Sequence, residues 1–188
     1  MRQCYTNIIL WVCPVVMLSI AGCSSNVIKD ENSPFYSVPE GSTLLLNQSL
    51  TIEGEQVATY VQDGKVMAES EVDKFRPNCK FELYTISELQ RTVTADSFEI
   101  IKVVDEIETS SLKRQTQLAV LDGFSVAGML DRSYMFNYAT MMYLHSESQK
   151  DVYRMTCQHW EDVMHNRYLS ILQMRQAMGE VFTLQIKE

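Results

Sequence analysis

The chain has 188 residues, 46% of them hydrophobic, and carries 24 acidic against 16 basic side chains, for a formal charge of -8 at pH 7. That balance excludes nucleic acid as a partner, because such binding takes most of its affinity from Lys and Arg neutralising phosphates, and Lys113-Arg114 is the only adjacent basic pair here.

The first element is an uncharged run from Ile8 to Gly22, preceded by Arg2 and interrupted by Pro14. It is too short for a comfortable span, since a bilayer core needs about 20 apolar residues. A basic start, an apolar middle and a small-residue end read instead as a secretory signal. Its last residues, Ile20, Ala21, Gly22 and Cys23, resemble the lipobox of bacterial lipoproteins. The resemblance implies engagement of the lipoprotein processing and sorting machinery: diacylation of the Cys23 sulfur, cleavage before Cys23, and acylation of the new amino terminus. Two or more acyl chains anchor stably where one is marginal, each buried methylene contributing roughly 0.8 kcal/mol. Ser24 follows the cysteine, where an Asp favours inner-membrane retention in enterobacterial-type lipoproteins. The expected address is therefore the outer membrane, facing the periplasm. Loss of residues 1–22 removes one charge, that of Arg2, and takes -8 to -9.

On this reading Cys4 and Cys13 leave with the signal and Cys23 carries lipid, so Cys79 and Cys157 are the two thiols of the folded part. Two cysteines in an exported domain most simply form one disulfide. A free buried pair or a redox site are the alternatives, although there is no CxxC.

Residues 23–42 include "SSNVIKDENSPFYSVPEGS", rich in Ser, Asn, Pro and acidic residues, and read as a flexible tether. Residues 43–188 are enough for one domain with a core. Within it, "STLLLNQSLTI" (42–52) reads as a strand region, and "QVATYVQ" (56–62) joins "KVMA" through Asp63-Gly64, a hairpin signal. "CKFELYTI" (79–86) alternates Cys79, Phe81 and Leu83 against Lys80, Glu82 and Tyr84, so its first face is expected to be buried. "DSFEIIKVVDEIE" (96–108) is β-rich, with Phe98, Ile100 and Lys102 on one side and Glu99, Ile101 and Val103 on the other. Strands continue at "SYMFNYATMMYL" (133–144) and "DVYRMTCQHW" (151–160), a helix is expected over 168–178 with a stop at Gly179, and "VFTLQI" (181–186) closes the chain. Many short strands and one late helix predict a mainly β fold, an antiparallel sandwich or small barrel with one C-terminal helix.

The region after the tether also resembles a group of proteobacterial lipoproteins, through "VPEGSTLLLNQSLTI", "FRPNCKFELYTIS", "DSFEIIKV" and "YRMTCQHW" followed by the helix and "GEVFTLQI". The resemblance implies the same disulfide and domain boundaries, and no activity.

No GxSxG, HExxH, Walker loop or GxGxxG occurs. "CQHWEDVMH" could offer His159, Glu161 or Asp162, and His165 to a metal, but the spacing does not suit one helical face and a polar loop at a strand end explains it better. Copper on Met141, Met142, Met174 or Met178 is weighed against Met as core filler, and no metal or cofactor is expected. The carboxylates of "EGE" and "ESEVD" read as solvated loops. Tyr134, Phe136 and Tyr138 alternate along one strand; such a row could stack on a sugar or line a small-ligand cavity, but more often it is one side of a core or a partly exposed sheet face. The expectation is thus a non-enzymatic, membrane-anchored accessory domain for an envelope protein partner. Its alternatives are a small-ligand or glycan-binding module using the aromatic strand, and a hydrolase without a recognisable signature.

Overall fold

The structure, a computed structural model, describes residues 29–111, 134–162 and 167–187. The lipidation expected at Cys23, the side chain of Tyr134 and His165 lie outside these residues. No helix among the described residues is long and apolar enough to cross a membrane.

The fold is mainly β, as expected. The strands are β1 (Thr43–Leu46), β2 (Leu50–Ile52), β3 (Ala58–Gln62), β4 (Lys65–Met67), β5 (Asn78–Leu83), β6 (Arg91–Val93), β7 (Asp96–Ser111), β8 (Tyr134–His145), β9 (Val152–Asp162) and β10 (Phe182–Gln185). Among the described residues one α-helix, α1 (Ile171–Met178), precedes β10. An eight-stranded antiparallel sheet, in the order β10-β1-β7-β8-β9-β5-β3-β4, curls into a half-barrel, and β2 pairs with β6 in a separate ribbon.

One face of the sheet is apolar. Leu44, Val61, Phe81, Phe98, Ile100, Met142, Met155, Phe182 and Leu184 are buried on it, and Phe81 packs 6.0 Å from Phe98 and 5.3 Å from Phe182 between ring centroids. Helix α1 adds Ile171, Met174, Ala177 and Met178 to the same core, the i, i+3, i+7 stripe of an amphipathic helix. Met142, Met174 and Met178 thus fill core, and among the described residues no group of three His, Cys, Asp or Glu side chains could hold a metal ion.

Three local outcomes differ from the pattern of the sequence. The helix begins at Ile171 rather than 168, because Ser170 caps it: the Ser170 hydroxyl accepts from the Gln173 N–H, and the Gln173 side chain accepts from the Ser170 N–H. In β7 the register shifts between Ile100 and Lys102. This bulge turns Ile101 outward, 52% exposed, and brings Val103 rather than Lys102 to the core side. Finally, residues 29–42 do not stand clear of the domain. Val38 is buried, the Leu172 N–H donates to the Glu31 carbonyl, Arg175 pairs with the Glu31 carboxylate, and the Gly41 N–H donates to Ile100. Val38 has apolar surface to bury and Glu31 faces a cation, so the segment docks in spite of its polar composition.

Candidate functional site

Side chains opposite one another in an antiparallel pair share a face, so the register defines what lies on the side of the sheet away from the core. Lys80 lies opposite Thr156, Glu82 opposite Arg154 and Asn78 opposite Gln158 across β5 and β9. Across β8 and β9, Tyr143 faces Arg154, Ala139 faces Gln158 and Asn137 faces Trp160. Tyr60 of β3 joins the Lys80 row, and Glu106 and Glu108 of β7 join the Ala139 and Asn137 rows. This outer face is polar, yet Glu82, Thr156 and Asn137 are buried in it.

At its centre Glu82 is held by two cations. Lys80 Nζ lies 2.9 Å from one carboxylate oxygen, and Arg154 Nε donates to the other at 2.5 Å. Thr156 Oγ1 donates to the same oxygen as Arg154, at 3.3 Å. Burial pushes the Glu82 carboxyl up, and the hydrogen bonds from Arg154 and Lys80 outweigh it, so the group stays below the usual glutamate range. Arg154 is in turn fixed by aromatic faces, its guanidinium 5.0 Å from the Tyr153 centroid and 5.9 Å from that of Tyr143.

A cleft of about 240 Å³ runs over this face. Asn78, Lys80, Asn137, Arg154, Thr156 and Gln158 line it from the sheet, Trp160 and Tyr60 flank them, and Glu69, Val72 and Lys74 close one side. The closing segment is anchored by Gln62, whose side-chain nitrogen donates to the Asp73 carbonyl at 2.9 Å and whose oxygen accepts from the Asp73 N–H at 3.1 Å. The Trp160 N–H also donates to the Lys74 carbonyl at 2.8 Å. Tyr60 is pushed up to about 12 by burial and by the carboxylates of Glu69 and Glu82, so its hydroxyl stays protonated. Two buried acceptors, Asn78 Oδ1 and Asn137 Oδ1, have no hydrogen-bond partner among the described residues.

A wider groove of about 1300 Å³ adjoins the cleft along Tyr60, Glu69, Val72 and Lys74. It follows the edge strand β4, bounded by Leu50 and Thr51 of β2 on one side and by residues 68–75 on the other.

The aromatic row of β8 lies on the opposite face. Tyr138 is 1% exposed and packs edge-on to Tyr168 at 5.7 Å and to His159 at 6.1 Å; Phe136 is half-buried beside it. Tyr138 therefore has no open ring face for a ligand. His159 donates from Nε2 to the Arg167 carbonyl at 3.0 Å, and Glu161 and Asp162 also have partners. Cys79 and Cys157 form a disulfide beneath the Lys80 and Thr156 row.

The polar cleft was not read from the sequence as a site. The available signal was the alternation of β5 and β9: Lys80 and Glu82 share the face opposite Cys79 and Phe81, and Arg154 and Thr156 share the face opposite Met155 and Cys157. Charges of both signs on the outer faces of two disulfide-paired strands point to an ion cluster.

No protein-family model matches the chain, and no curated protein or solved structure matches it either.

Proposed function

We propose that this is a lipid-anchored cell-envelope protein, held by acyl chains on Cys23 in the outer membrane facing the periplasm, whose domain is a non-catalytic interaction module for an envelope protein. The observation that carries the interaction reading is the Lys80–Glu82–Arg154 triad under the cleft. Two cations keep Glu82 ionised, so it is no proton donor at neutral pH, where a general acid needs a raised pKa. What the triad provides is a rigid pattern of charge and amide groups on an otherwise open sheet face, which suits recognition.

The anchoring part rests on the lipobox-like "IAGC". Metabolic palmitate labelling and membrane fractionation of the wild type and Cys23→Ser test it. The wild type is expected to take up label and to sediment with membranes, and Cys23→Ser to lose the label and remain unprocessed. A Cys23→Ser chain that is processed normally and still partitions with membranes contradicts the reading.

A further inference from the structure

We infer that the β4 groove and the adjoining cleft together bind an extended, Lys- and Arg-rich segment of a protein partner. The inference rests on the interaction reading above and gives it a place and a chemistry.

Charge is the first argument. The lining brings Glu53, Glu69, Glu71, Asp73, Glu106 and Glu108 together with Lys74, Lys80 and Arg154. The cations already have partners: Lys74 reaches Glu69 at 3.7 Å, and Lys80 and Arg154 share Glu82. Counting Glu82, seven carboxylates face three cations, a surplus of four negative charges. Hydrogen bonding points the same way. Asn78 and Asn137 line the cleft, and among the described residues their buried Oδ1 atoms have no donor, so the cleft is better matched to a ligand that brings N–H groups than to one that brings acceptors.

Shape selects an extended chain. The groove follows β4, which among the described residues pairs with β3 alone and is one end of the sheet, so its outer backbone can take an added strand. Phe75 and Val66 line the groove at 61% and 42% exposure, apolar walls against which the methylene stems of lysines pack while their charges reach the carboxylates. A saccharide would match neither the surplus charge nor the open strand edge.

The test uses the full chain purified in neutral detergent and a dye-labelled decapeptide alternating lysine and threonine, read by fluorescence anisotropy. A glutamate-threonine decapeptide and a chito-oligosaccharide are run beside it. The lysine peptide is expected to bind, and the variant Glu53→Gln/Glu71→Gln/Glu106→Gln/Glu108→Gln to weaken it roughly tenfold or more. A control that removes the same charge elsewhere, Glu88→Gln/Glu99→Gln/Glu147→Gln/Glu180→Gln, is expected to change it by less than about twofold. Bound peptide is also expected to slow hydrogen exchange across residues 65–75 of the wild type, a readout that does not depend on any variant folding. Equal losses in both variants would reduce the attraction to diffuse charge and overturn the proposal. So would an unbound lysine peptide, unchanged exchange at residues 65–75, or binding of the chito-oligosaccharide alone. Anchoring is read on cell fractions and this binding in solution, so either idea can fail without the other.

Discussion

Cys79 and Cys157 lie directly opposite one another on β5 and β9, their Cα atoms 4.0 Å apart, and neither is exposed to solvent. The disulfide closes a separation of 78 residues and clamps the two strands whose outer faces carry Lys80, Glu82, Arg154 and Thr156. Core packing and the polar face are therefore stapled at the same point. By the loop-entropy relation such a bridge contributes about 4 kcal/mol. Cys79→Ala/Cys157→Ala is expected to lose roughly that much in urea unfolding, and the native wild type to resist reductant until denaturant is added. A double variant as stable as the wild type contradicts this.

Removing the centre of the ion triad leaves two cations on a half-buried face. Glu82→Gln is expected to cost about 2–3 kcal/mol, below the value for a fully buried pair because Lys80 and Arg154 keep some contact with water. Glu82→Leu/Arg154→Leu, which removes both the carboxylate and one cation, is expected to recover part of that loss. Chemical denaturation of the wild type and the two variants decides it, and a double variant less stable than Glu82→Gln would count against the triad as described.

Asp96 at the start of β7 accepts hydrogen bonds from the Gln149, Ser148 and Ser146 side chains, and these hold its carboxyl well below the usual aspartate range. Because the folded value is depressed, its contribution is present above the unfolded value of about 4 and is lost as pH falls below it. Asp96→Asn is expected to cost about 1–2 kcal/mol at neutral pH, given the partial exposure of the site. The Tm gap to the wild type is expected to narrow steadily from about pH 5 toward pH 2, and a gap that stays constant over that range is the contrary result.

Gly179 ends α1 with φ at 55° and ψ at -133° and presses on the β3–β4 turn. A Cβ there would come within 2.4 Å of Gly64 Cα, and the Gly64 N–H donates to the Ala177 carbonyl at 3.0 Å. Backbone strain and overlap act together, so Gly179→Ala is expected to lose about 2–4 kcal/mol. A thermal melt within about 2 °C of the wild type would show that the contact is loose.

Where chemistry is local, the fold could be read from residue order alone. Asp63 and Gly64 take positive φ values of 51° and 71° in the turn their types suggest, and Gly179 stops the helix. Cys79, Phe81 and Leu83 are buried as their alternation requires. The β7 bulge was illegible because Ile100, Ile101, Val103 and Val104 are all apolar, so a one-residue slip leaves no mark in the pattern. The docking of residues 29–42 was hidden in a polar stretch whose partners, Ile100 and Arg175, lie far along the chain. Burial of Tyr138 agrees with the core reading of its aromatic row, although period-2 spacing alone names a face without saying which one is covered. The cleft depends on pairing between distant strands, Glu82 and Arg154 being 72 residues apart, and no local pattern specifies which strands become neighbours.

The proposed meeting of the acidic trough with a protein partner is decided by site-specific photocrosslinking in intact cells. A photoreactive residue is placed at Val66 or Glu108 in the trough, or at Glu147 or Glu180, exposed positions outside it. A discrete adduct is expected from the two trough positions and none from the other two, with mass spectrometry mapping the crosslink to a Lys- and Arg-rich segment of an envelope protein. Adducts of equal yield from all four positions, or none from the trough, would contradict it.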